Sequence, residues 1–203
     1  MNRGWSVGFG RVVRGVVLAA VAGGVGGVGA QESRADEMAL LPPYCNYAQS
    51  FPGASQPAAY QAYLARYGNA WSHIHHYCYA LQEIMQADRL NTSPQARRTL
   101  IRSALGNIDY VLQRSEPGFP FRPEMLSRKA RLLMRTGDAT KALESAQRLR
   151  DEAPTLADGY IIMADILTRG GRREDAERVL TDAEAQVVDK ERLARLRNAF
   201  FGK

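Results

Sequence analysis

Residues 125–156 read MLSRKARLLMRTGDATKALESAQRLRDEAPTL, and residues 160–190 read YIIMADILTRGGRREDAERVLTDAEAQVVDK. Laid side by side, the two stretches keep the same landmarks at one interval. Gly137 and Gly171 are 34 residues apart, as are Ala130 and Ala164, Leu133 and Leu167, and Ala142 and Ala176. A fixed period of this length marks a repeat architecture, in which each unit buries its apolar face only against its neighbours. Apolar residues within each unit recur at helical spacing, and a glycine sits where the chain must reverse. Each unit is therefore expected to be two antiparallel helices joined by a tight turn. Ala130 and Ala142 would meet where the two backbones come closest, and larger side chains there would hold them apart.

This spacing, with its small residues and turn glycine, resembles the tetratricopeptide repeat. Pro154 closes the first unit where that family has a proline, whereas Lys129 and Met163 replace a usual leucine and Val188 replaces the second closing proline. The resemblance implies an all-α fold of stacked antiparallel helical hairpins, a right-handed solenoid, with units at 123–156 and 157–188. A less regular unit is expected at about 68–117, with Trp71 as its early bulky residue, Pro117 as its closing residue and a long connection, ADRLNTSPQ, between its helices. Leu193, Leu196 and Phe200, at i, i+3 and i+7, suit a C-terminal capping helix over 189–200. No long alternating run rich in Val, Ile or Thr follows residue 30, so no sheet is expected.

Upstream, helical patterning runs from Pro57 to about Asp88, with Gly68 as its weak point. A second helix starts with Ser93 as cap and Pro94 in the first turn and continues to about Ser115. The helical domain thus covers 57–203. Residues 31–56, with Pro42, Pro43, Pro52 and Gly53, read as an irregular segment. Residues 1–30 read as a signal peptide: Arg3, Arg11 and Arg14 precede VVLAAVAGGVGGVGA, which ends in small residues suited to cleavage after Ala30. The alternative is an uncleaved anchor, although the run is glycine-rich and short for a span of about 20 apolar residues. Membrane contact is expected only through this segment, if it is retained.

Removing those three arginines takes Lys+Arg from 27 to 24 against 21 acidic residues, and the formal net charge from +6 to +3. A chain so nearly balanced gives no reason to expect a nucleic-acid partner. The expected location is the periplasm or outside the cell. There, the two cysteines, Cys45 and Cys78, are expected to form a disulfide worth about 3 to 4 kcal/mol, the alternative being two buried thiols.

All three histidines lie in WSHIHHYCYA, residues 71–80. At ~100° per residue, Tyr67, Trp71, Ile74, Cys78, Leu81 and Met85 share one stripe, the expected core face. A Cys45–Cys78 bridge would therefore pin the preceding segment over the first hairpin. His73 and His76 fall on the opposite side and His75 is displaced from both, so a regular helix does not converge the three on one ion. The sequence PPYC followed by HIHHYC also resembles a group of exported bacterial repeat proteins, a resemblance that implies no activity. No metal, cofactor or catalytic residue is expected. The chain has no Gly-x-Ser-x-Gly elbow, no glycine-rich phosphate loop and no His-Glu-x-x-His or Cys-x-x-Cys motif, and nothing opposes Glu83, Glu124, Asp165 or Asp175 across a cleft.

In the tetratricopeptide family the first helices of successive units line a concave groove. Carried over by register, the groove positions are Asn69, Ser72, His76 and Tyr79, then Arg128, Arg131 and Arg135, then Asp165 and Arg169. Arg128, Arg131 and Arg135 also form one stripe by geometry. The expected function is a non-enzymatic scaffold whose partly basic groove takes a protein or peptide, acidic or carboxylate-terminated, because guanidinium groups bind carboxylates in a planar fork. A solvated basic face without a ligand is the plain alternative. A second functional reading is a metal- or redox-responsive protein built on His73, His76, Cys45 and Cys78.

Overall fold

The computed structural model describes residues 38–48 and 57–201. The expected signal peptide, and the parts of the irregular segment at 31–37 and 49–56, lie outside the described residues. Among the described residues the chain is all-helical, without strands. A 3-10 turn at Pro43–Tyr47 precedes nine α-helices. These are α1 (Pro57–Tyr67), α2 (Asn69–Ser72), α3 (Ile74–Ala87), α4 (Pro94–Gln113), α5 (Arg122–Thr136), α6 (Ala139–Glu152), α7 (Ala157–Arg169), α8 (Arg173–Gln186) and α9 (Lys190–Phe201).

The stretch expected as one helix from Pro57 to Asp88 is three. Gly68 adopts φ +66°, a left-handed conformation open to glycine, and ends α1. A second break falls at His73, between α2 and α3. The other long helix starts as its sequence indicates: Pro94 is in the first turn and Ser93 Oγ accepts a hydrogen bond from Ala96 N at 3.2 Å.

The 34-residue period reappears as repeated backbone geometry. Gly137 (φ +82°) and Gly171 (φ +74°) are both left-handed. Asp138 N donates to Leu133 O at 3.0 Å, and its counterpart Arg172 N donates to Leu167 O at 2.8 Å. Each pair is the six-residue closure that satisfies a helix's terminal carbonyls beyond a left-handed glycine. Ala130, Ala142, Ala164 and Ala176 are all fully buried. Helices α3 and α4, α5 and α6, and α7 and α8 pack as sequential pairs, and α6 lies against α7. At Gly159 the α7 backbone comes close to α6: a Cβ built there would lie 2.8 Å from Arg150 N.

Helix α5 also touches α7, and α7 touches α9. Leu193 of α9, 2 % exposed, joins Leu167, Leu180 and Val187 in the core of the last pair, so α9 covers that end of the stack. The side chains of Leu196 and Phe200, the other two residues of the expected cap, lie outside the described set.

Two devices hold the irregular N-terminal part to the repeats. The first is the Cys45–Cys78 disulfide, with Cα atoms 5.7 Å apart and both sulfurs fully buried. It fastens the 3-10 turn onto α3. Around it, Tyr44 meets Phe121 edge-on at 4.9 Å and Tyr63 stacks on Trp71 at 4.3 Å. The second is Arg122, which is 0 % exposed. Its Nε and Nη2 each donate to a Glu152 carboxylate oxygen at 2.7 Å, and its Nη1 donates to Leu112 O and Ser115 O. One guanidinium thereby ties the end of α4 to the start of α5 and the end of α6. Burial disfavours the Glu152 carboxylate, but hydrogen bonds from Arg122 and Arg148 outweigh it and hold its pKa below the usual range.

Candidate partner-binding face

Helix α5 places Arg128, Arg131 and Arg135 on one face, as the i, i+3, i+7 spacing requires. Each guanidinium already carries a carboxylate. Arg128 Nε donates to Glu124 Oε1 at 3.1 Å, Arg131 Nη2 to Asp158 Oδ1 at 3.3 Å, and Arg135 Nη2 to Asp88 Oδ1 at 2.5 Å. On α7, Arg169 Nε donates to Asp165 Oδ1 at 2.9 Å within the same helix. Asp158 accepts a second arginine: Arg192 of α9 reaches both its oxygens at 3.0 and 3.1 Å. The face is thus a ladder of ion pairs that crosses from the end of α3 over α5 and α7 to α9.

Asp88, Asp158 and Arg192 were not among the residues singled out by register, yet the period held a signal for two of them. Glu124, Asp158 and Arg192 are spaced 34 residues apart, one near the start of each of α5, α7 and α9. A column that changes from acid to base invites pairing between neighbours, and Asp158 with Arg192 makes that pair.

Beside the ladder is a cleft of about 540 Å³ lined by Arg128, Arg131, Glu124, Asp158, Leu156 and Pro123, among others. Leu156 is 44 % exposed there, an apolar side chain among charges. At the α3 end, the face is filled by the chain itself. Tyr44, from the disulfide-held turn, stacks toward Tyr77 with ring centroids 6.4 Å apart, and its Oη donates to Glu124 Oε2 at 3.2 Å. Burial, then the Glu124 charge, pushes the Tyr44 phenol far above its ordinary pKa. Tyr77 is raised for the same reasons in the same order. Its Oη is buried with no hydrogen bond of good geometry, although it lies close enough to Glu124 and Arg128 to feel both charges.

The first-unit residues chosen by register go elsewhere. His76 turns onto α4: its Nδ1 is 2.9 Å from Asn107 Oδ1 and its ring is 3.9 Å from that of Tyr110. Asn107 Nδ2 in turn donates to Glu83 Oε2 at 3.1 Å, which makes the histidine nitrogen the donor. Tyr79 meets the rings of His75 and His76 edge-on. Asn69 and Ser72 belong to the short helix α2, where Ser72 Oγ donates to Asn69 O at 2.7 Å. The stripe expected as the core face, in contrast, keeps its phase across the break at His73: Trp71, Ile74, Cys78 and Leu81 are each 4 % exposed or less. Beside it Tyr77 is covered by Tyr44, as Cys78 is by Cys45.

His73 has its pKa lowered by burial, then by Arg114 and His76. His75 is lowered by burial and by His76, against the raising effect of its hydrogen bond to Ser72 O. Among the described residues, no group of three His, Cys, Asp or Glu side chains is arranged to hold a metal ion. No protein-family model, curated protein or solved structure matches this chain.

Proposed function

We propose that this chain is an exported, non-enzymatic scaffold of tetratricopeptide-like hairpins that holds a protein or peptide partner against the face of α5, α7 and α9. The observation that carries this reading is the ladder itself: first helices lie side by side, and their ion pairs flank an open cleft with Leu156 at its wall. The pairs are open to solvent on one side, Arg131 being exposed and Arg128, Glu124 and Asp158 half-buried. Surface pairs contribute only ~0 to 1 kcal/mol, so a partner's carboxylate can replace Asp158 on Arg131 at little cost and Glu124 on Arg128 at somewhat more. Such exchange keeps the guanidinium groups preorganised in the absence of ligand, and it makes binding sensitive to salt. The N-terminal arginines, the small-residue run and the buried disulfide support export to an oxidising compartment.

The test is affinity capture by the oxidised chain, compared with a chain carrying Arg128→Glu and Arg131→Glu. Partners held by the face are expected on the unaltered protein, to be reduced at least tenfold on the variant and to elute with rising salt. Equal capture by both proteins would sink the proposal.

A further inference from the structure

A second cleft, of about 480 Å³, opens between the α1–α2 corner and the loop from α4 to α5. It shares Pro120 with the cleft beside the ladder, but its contents differ in kind. Arg66 and Arg114 both line it, and neither has a carboxylate partner among the described residues, unlike the arginines of the ladder. Each is held instead on a tyrosine: Arg66 Cζ is 5.2 Å from the Tyr67 ring centroid and Arg114 Cζ is 3.6 Å from that of Tyr110. A cation over an aromatic face is positioned without being neutralised, so its hydrogen-bond donors stay available. Arg114 spends one of them on Tyr110 O at 3.3 Å.

The wall behind Arg114 explains the histidine-rich turn. Tyr110 is backed by His76 at 3.9 Å and meets His73 edge-on at 5.5 Å, and His76 is locked by Asn107. The series Asn107, His76, Tyr110, Arg114 fixes the guanidinium from the interior outward. Asn69 sits on the same rim, where the Ser72 hydroxyl shares its one proton between Asn69 O at 2.7 Å and the side-chain oxygen at 3.1 Å. Ala70, Phe119 and Pro120 supply apolar surface, and Glu116 adds one negative charge at the mouth.

We propose that this cleft binds a small organic carboxylate with an apolar body, its head held by Arg66 and Arg114 and its body on Ala70 and Pro120. The volume lies within the range of about 300 to 1,000 Å³ usual for small-ligand sites. Two fixed guanidinium groups suit one planar oxyanion. Glu116 at the mouth opposes a second negative charge and selects a carboxylate over a phosphate.

The experiment titrates the oxidised full chain with N-acetylphenylalanine and follows the ring protons of His73 by NMR. Its controls are the uncharged N-acetylphenylalanine amide and phenyl phosphate. An anion beside Arg114 offsets the charge that lowers the His73 pKa, so that pKa is expected to rise when the carboxylate is bound. Arg114→Gln and Arg66→Gln are each expected to weaken binding about tenfold or more, the loss typical of a charged hydrogen bond. Arg102→Gln, an exposed α4 arginine outside the cleft, is expected to leave it unchanged. Equal binding of the amide, equal weakening by Arg102→Gln, or no binding of the carboxylate would each overturn the site. Tighter binding of phenyl phosphate would overturn the assignment of a carboxylate. None of these outcomes touches the capture experiment on α5, whose variants lie in the other cleft.

Discussion

The two halves of this molecule make helix pairs stack by different means. From residue 122 onward the buried core is mostly alanine and aliphatic, with Tyr160 its one buried ring among the described residues. Ala130, Ala142, Ala164 and Ala176 sit at the close approaches, and the same turn recurs after Gly137 and Gly171. Before residue 122 the core is aromatic, with Tyr44, Tyr63, Tyr67, Trp71, Tyr77, Phe119 and Phe121 in one contiguous set of ring contacts. Regular units need no fastening, because each surface is cut to fit the next. The irregular first pair has a longer connection and a longer second helix, leaves an apolar trough, and closes it with a covalently held turn. Period and staple are alternative answers to the same packing problem.

The largest effect is expected at the seam between the halves. Arg122→Ala would leave the Glu152 carboxylate, 9 % exposed, without its buried partner, and would strand the carbonyls of Leu112 and Ser115. Breaking a buried pair from one side costs about 3 to 5 kcal/mol. The midpoint of urea unfolding, followed by far-ultraviolet circular dichroism, should fall accordingly. If it does not, the halves are joined by their apolar contacts alone.

Next in size is the staple. Cys45→Ser with Cys78→Ser removes a bridge across 33 residues, worth about 3 to 4 kcal/mol on the chain-entropy account. The loss is expected in the N-terminal half only. Near-ultraviolet circular dichroism, which reports the packed rings, should melt earlier than the far-ultraviolet signal. Coincident melting would show that the repeats depend on the staple as well, and the contrast drawn above would fail.

Smaller again is a pair of alanine substitutions with opposite signs. Gly159→Ala sets a Cβ 2.8 Å from Arg150 N, a backbone atom that moves only with α6, and is expected to cost ~1 to 3 kcal/mol. Gly106→Ala, inside α4 with open space around it, is expected to stabilise by ~0.5 to 1 kcal/mol. Thermal melts of both variants check the claim that close backbone approach belongs to the repeating half.

These differences decide what was legible in advance. The turns at Gly137 and Gly171 and the burial of their alanines follow from spacing alone, because a period constrains both units at once. The start of α4 was readable from Ser93 and Pro94, which act locally. The bridge followed from the count of cysteines and the expected export to an oxidising compartment. The break at His73 was not readable, since no glycine or proline marks it. The charge state of the α5 stripe also escaped. Asp88 lies 47 residues before Arg135 in the chain, and Asp158 lies 27 residues after Arg131, so neither pairing shows in a helical wheel. Arg122 carried no signal in the sequence; only the arrival of Glu152 from α6 makes it a clamp.

The least effect, and the one confined most sharply to the N-terminal half, is that of acid. All three histidines lie there, and His73 and His75 are held neutral by burial and by neighbouring positive charge. Their folded pKa values are below the unfolded value of about 6.5, so below that pH the unfolded chain binds more protons than the folded one. Stability is therefore full above about pH 6.5 and falls as pH drops from there toward the folded values. Replacing His73 and His75 with Gln should flatten that slope between pH 6.5 and 5, measured from urea midpoints at a series of pH values, while Gly159→Ala should shift every midpoint and leave the slope as it was. A slope that survives loss of both rings would show that the burial of His73 and His75 does not set the acid sensitivity.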